Sequence, residues 1–165
     1  MAKARDIPGI DGRMTFREAG REAVAVRARE VFEHAGGVLD TDDIERVHDM
    51  RVATRRLRAV LEVFEAAFDR AEHRAVLRDV KRLADALGAR RDPDVQLAAL
   101  EALARSMPEE DQPGLDVFAQ RIRVDQAQGN LTLAAALQAT KEHDLAGRVR
   151  ALVAAPADAD PERAA

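Results

Sequence analysis

Val47, Met50, Leu57, Leu61, Phe64 and Phe68 recur three, four or seven positions apart. That period places them on one side of an α-helix and scatters them over both faces of a strand. The segment is therefore read as a helix of about seven turns, opened by Asp42 with Glu45 three residues later, a capping-box pair.

The same signals divide the rest of the chain. Thr15 caps a first helix in which Phe16, Ala19, Ala23 and Val26 share a side until Gly36 and Gly37 end it. Asp69 and Glu72 start a third helix, whose stripe of Val76, Val80, Leu83 and Leu87 stops at Gly88, a residue suited to C′. Asp92-Pro93 is an N-cap followed by the proline favoured at the first helical position, so a fourth helix carries Leu97, Leu100, Leu103 and Met107 towards Pro108. Beyond Pro113, Leu115, Phe118 and Ile122 mark a fifth, interrupted at Gly129-Asn130. Leu133, Leu137, Leu145, Val149 and Leu152 mark one or two more.

Aromatics make up only 3% of the chain, so its 47% apolar content is almost wholly aliphatic and Ala, which favours helices over strands. The expected fold is all-α: an antiparallel bundle of about five to seven helices in one domain spanning 15–154. A flexible arm, 1–14, precedes it and a disordered tail, 155–165, follows.

No cysteine is present, which excludes disulfides, thiolate metal sites and a Cys nucleophile. Neither a secretory leader nor a run of about 20 apolar residues is seen, so a cytoplasmic protein without membrane contact is expected. The net charge of −4 hides an uneven distribution. Residues 46–91 hold 12 Lys/Arg against 7 Asp/Glu, or +5, leaving 14 against 23, or −9, elsewhere.

Within that basic stretch His48, Arg51, Arg55 and Arg58 fall in an arc of about 80° at ~100° per residue, while Val47, Leu57, Leu61 and Phe64 gather on the other side. No acidic residue lies between Met50 and Leu61, so these cations are expected to lack partners on their own helix. Guanidinium forks about one turn apart suit a chain of linked phosphates, each able to accept bidentate hydrogen bonds. On the third helix Arg74, Arg78 and Lys81 share a face with Arg82 beside them, and Arg90 and Arg91 follow, as a second wall. An isolated run of arginines is more often a solvated helix face, but the spacing, the missing acids and the second cluster together raise anion binding to an even contender.

The strings Val47-His48-Asp49-Met50-Arg51-Val52-Ala53-Thr54-Arg55-Arg56-Leu57-Arg58 and Leu87-Gly88-Ala89-Arg90-Arg91-Asp92-Pro93-Asp94-Val95, with Phe64 between them, resemble the CHAD family, the conserved histidine α-helical domains. The resemblance runs from about Phe16 to Val153. It implies a helical module that binds inorganic polyphosphate, in some members near polyphosphate granules; separately, the residues lead us to expect no cofactor and no metal. Carried over residue by residue, it puts the site on His48, Arg51, Arg55, Arg56 and Arg58, with Lys81 and Arg91 next and Arg78, Arg82 and Arg90 completing the basic walls. Asp92 is read as a cap and Asp94 as the orienter of a nearby Arg. The family's usual second half, with its own His/Arg string, is missing after residue 95. Either two chains pair as a homodimer, the favoured reading, or this half acts alone.

Three other functions remain in view. A histidine phosphotransfer domain would use His48, but Val52 stands where such domains usually place Gly. Nucleic-acid binding would lack Tyr or Trp for stacking. A purely structural bundle would use the arginines as a solvated face. Hydrolysis finds no support: His34, His48, His73 and His143 are isolated, and no Gly-rich phosphate loop or paired-carboxylate array is present.

Overall fold

Thr15 opens helix α1 (Phe16–Glu33): its hydroxyl accepts a hydrogen bond from the Glu18 amide, and its own backbone N–H donates to Glu18 Oε2. The computed structural model describes residues 4–41 and 43–155. Helices α2 (Ile44–Val63), α3 (Arg70–Ala104), α4 (Gln112–Glu142) and α5 (Leu145–Ala154) follow, with 3-10 turns at Glu65–Ala67 and Glu109–Asp111. All-α and bundle-like, the fold has five helices and no strand among the described residues.

The core forms where α1, α2, α3 and α5 close on one another, with the last turns of α4 completing it. Val24, Ala28 and Val31 meet Val47, Met50, Leu57 and Leu61 of α2 and Val76, Val80, Leu83 and Leu87 of α3. Leu133 of α4 and Leu145, Val149 and Leu152 of α5 complete it. Burial of these aliphatic side chains, at about 25 cal/mol per Å², drives the association.

Two local expectations change, both at the ends of α2. The N-cap of α2 is Asp43, not part of a capping box: its side chain is engaged by Arg46 Nε at 2.8 Å and makes no cap hydrogen bond. Asp42 lies outside the described residues. The helix stops at Val63, and the 3-10 turn carries the chain to Phe68, which is buried and stacks on His73. At the N-terminus the Arg5 amide donates to Glu30 Oε1 and its carbonyl accepts from Arg27 Nη1. The expected disordered tail falls, from residue 156 on, outside the described residues.

The largest change concerns α3. Gly88 does not end it and Asp92-Pro93 does not start another helix: α3 runs 35 residues through Pro93, about 52 Å at 1.5 Å per residue. Nor does Gly129 interrupt α4. One contact accounts for both. Pro93 has no N–H for the Ala89 carbonyl four residues earlier, and Gly129 of α4 packs against that carbonyl. A Cβ at position 129 would lie 2.7 Å from Ala89 O, so only glycine permits the approach. Beyond this crossing α3 and α4 continue as a two-helix arm on which Leu103, Val117 and Phe118 are exposed.

Beneath the crossing lies a polar network. Arg90, fully buried, pairs through Nη1 with Asp94 Oδ1, which also accepts from Gln126 Nε2 at 2.6 Å. Arg90 Nε donates to Asn130 Oδ1 at 3.3 Å, and Asn130 Nδ2 donates to the Leu39 carbonyl at 3.2 Å. Buried charge is tolerated only when paired in this way.

Candidate anion-binding face

Helix α2 turns Val47, Met50, Ala53, Thr54, Leu57 and Leu61 inward. That leaves His48 and Arg51 half-buried and Arg55 exposed on the other side, with Arg58 half-buried beside them. Since the apolar residues fix the rotation of the helix, the one-sided charge read from the sequence is carried to the surface. The side chains of Arg51 and Arg55 make no hydrogen bond or ion pair among the described residues.

Arg58 departs from the expectation that the whole stripe lacks partners on its own helix. Its Nε donates to Glu62 Oε1 at 3.0 Å, one turn on and just past the acid-free stretch. The same oxygen lies 3.1 Å from Lys81 Nζ on α3. Glu62 thus bridges the two helices. Its carboxyl is held below the usual carboxylate range, chiefly by the hydrogen bond from Arg58 and then by that from Lys81.

Lys81 therefore stands at the seam, next to the α2 stripe. Arg78 is its neighbour one turn back and exposed, and Arg74 lies a turn further. Arg82 is also exposed but turns towards α5, with Nη1 3.4 Å from Asp79 Oδ1. Arg91 is half-buried, its Nε enclosed without a hydrogen-bond partner. Arg56 is half-buried.

Arg90 is removed from the face altogether. Its guanidinium lies wholly inside the α3–α4 crossing, where it partners Asp94 and cannot reach a ligand in this conformation. Asp94 is the orienter expected, whereas Asp92 is exposed in mid-helix and caps nothing. The sequence reading missed Arg148 of α5 and His143 at the end of α4, which join Arg82 around Asp79. No spacing signal ties them to α3, because they approach only in the folded chain.

Among the described residues no group of His, Cys, Asp and Glu is arranged to hold a metal ion. No helix among the described residues is long and apolar enough to cross a membrane. A cavity of about 690 Å³ lies elsewhere, lined largely by core side chains such as Phe32, Val38, Met50 and Leu83.

Comparison with protein families finds a match to the CHAD domain over residues 22–165. No curated protein and no solved structure matches the chain.

Proposed function

This chain belongs to the CHAD family, and on that premise we propose that it binds inorganic polyphosphate along the cationic faces of α2 and α3 without transforming it. CHAD domains are binding domains associated in general with polyphosphate. One observation carries the finer reading. Arg51 and Arg55 are unpaired on one face of α2, and Glu62 draws Arg58 and Lys81 together so that this face continues onto α3. Cations at successive turns match a repeating anion better than a single phosphoryl group.

The binding set is His48, Arg51, Arg55, Arg56 and Arg58 on α2, with Arg78, Lys81, Arg82 and Arg91 on α3. His48 serves as a donor within the stripe, not as a phosphoryl carrier. The reading places the protein in the cytoplasm, where it meets polyphosphate, including that gathered in granules. It also takes the active form to be a homodimer, in which a second copy supplies a second basic face. Supporting that form, Val117, Val124 and Leu131 repeat at seven-residue intervals on α4 with each more than 60% exposed, the spacing of a helix-packing seam.

Titration with long-chain polyphosphate tests the binding reading. The wild type should bind, and a variant with Arg51, Arg55 and Arg58 all changed to Ala should lose about a hundredfold in affinity or more. Equal binding by both proteins would reject the face, and displacement of polyphosphate by single-stranded RNA at equal phosphate would reject the selectivity. Light scattering at binding concentrations tests the dimer, which a monomeric mass excludes.

A further inference from the structure

At the far edge of α3, away from Glu62, a shallow pocket of about 460 Å³ is lined by Arg78, Asp79, Arg82, His143 and Arg148. Three elements supply it: α3, the C-terminal end of α4 and the first turns of α5. We propose that this pocket is a discrete site for one phosphate carrying two negative charges, and that it receives the terminal phosphate of the chain lying on the α2–α3 face. The inference rests on the polyphosphate reading and extends it from a track to a track with an end.

The arrangement of charge supports a pocket and not merely a patch. Asp79 is 8% exposed and forms the floor. Its Oδ2 accepts from Arg148 Nη1 at 2.8 Å and lies 3.7 Å from His143 Nδ1, and its Oδ1 accepts from Arg82 Nη1 at 3.4 Å. Both carboxylate oxygens are thereby occupied, and the carboxylate fixes the guanidiniums above it, much as a supporting shell orients a binding group. Each guanidinium has five N–H donors and spends few of them on the floor. Arg148 has a second, longer contact, Nε to Glu72 Oε2 at 3.9 Å, on the outer rim. Arg78 makes no hydrogen bond or ion pair among the described residues and is exposed.

Three arginines against Asp79 on the floor and Glu72 on the rim leave the mouth positive, +1 by the formal charge of these five groups. An internal phosphate of a linear polyphosphate carries one negative charge, whereas a terminal one acquires a second near neutral pH, with a pKa of about 6 by analogy with phosphomonoesters. The pocket therefore discriminates for the chain end. Continuity with the track follows from helix spacing, because Arg78 lies three residues from Lys81 and four from Arg82, so all three are surface neighbours. A chain passing Arg55, Arg58 and Lys81 meets Arg78 next and the pocket after it.

Linear tripolyphosphate and cyclic trimetaphosphate separate an end from a middle, because the ring has no terminal phosphate. Full-length protein should bind the linear compound more tightly, and Arg148→Gln should weaken that binding about tenfold while leaving the ring unchanged. His143→Ala, at an exposed pocket position outside the binding set, should act in the same direction and guards against a folding defect in the first variant; helix content by circular dichroism accompanies both. Competition with inorganic orthophosphate distinguishes the source: displacement of only the end-dependent increment supports a site that free phosphate also enters, and no displacement supports one that takes the end only as part of a chain. Equal losses for ring and line, or none for either, in both variants would overturn the pocket while leaving long-chain binding intact. Failure of the wild type to bind long-chain polyphosphate would overturn the pocket together with the reading beneath it.

Discussion

Arg58 of α2 and Lys81 of α3, 23 positions apart, converge on a single oxygen of Glu62 at 3.0 and 3.1 Å. The carboxylate holds two like charges close that would otherwise repel, and so it sets the spacing at which the two basic helices meet. It also removes one unit of positive charge from the face. The joint has opposing effects on assembly and on ligand attraction, and each can be measured.

Glu62→Gln keeps the shape of the joint and removes its charge. Polyphosphate affinity should rise about two- to fivefold, the range expected for one exposed ion pair. The salt dependence should steepen. Titrations at two ionic strengths would reveal this, and weaker binding would mean that the carboxylate's orienting role outweighs its charge.

Acid should act on the same joint. The Glu62 carboxyl titrates below its ordinary 4.5 in the folded chain, so the unfolded state binds its proton first as pH falls. Its contribution to stability is therefore complete above pH 4.5 and is lost as pH drops through the lower folded value. Both partners are about two-fifths exposed, and solvent screening keeps the effect small. Thermal unfolding of wild type and Glu62→Gln should differ less at pH 3 than at pH 6.

Arg55→Ala removes an exposed side chain with no partner of its own. Stability should change by less than about 0.5 kcal/mol. The slope of log affinity against log salt should fall by about 0.7 if Arg55 neutralises one phosphate. An unchanged slope would place the ligand elsewhere.

Asp94→Ala strands the buried Arg90 guanidinium and deprives Gln126 of its acceptor. Loss of one partner from a buried pair costs about 3–5 kcal/mol, which denaturant unfolding would register. A loss under about 1 kcal/mol would show that water or a rearranged Asn130 replaces the carboxylate.

Two glycines that look alike in sequence should behave oppositely. Gly129→Ala forces a methyl towards Ala89 O, 2.7 Å away, and should destabilise by about 1–3 kcal/mol. Gly88→Ala meets nothing within 4 Å in mid-helix and should stabilise by about 0.5–1 kcal/mol. Melting temperatures of the two variants give the comparison directly.

The helical class, the caps at Thr15 and Asp69 and the one-sided charge of α2 were legible in the sequence. They depend on residues within one or two turns of one another, and helical period is a local property. The punctuation at Gly88, Asp92-Pro93 and Gly129-Asn130 misled for the complementary reason. Each is a breaker by local preference, yet the packing of α3 on α4 makes the missing N–H of Pro93 and the missing Cβ of Gly129 the features that fit the helices together. Burial of Arg90, sharing of Glu62 by Lys81 and the meeting of Arg82 with Arg148 around Asp79 were likewise settled by the tertiary structure alone. A sequence determines which way a helix presents its charges; which of those charges stay in solvent is decided by the helices that come to lie against it.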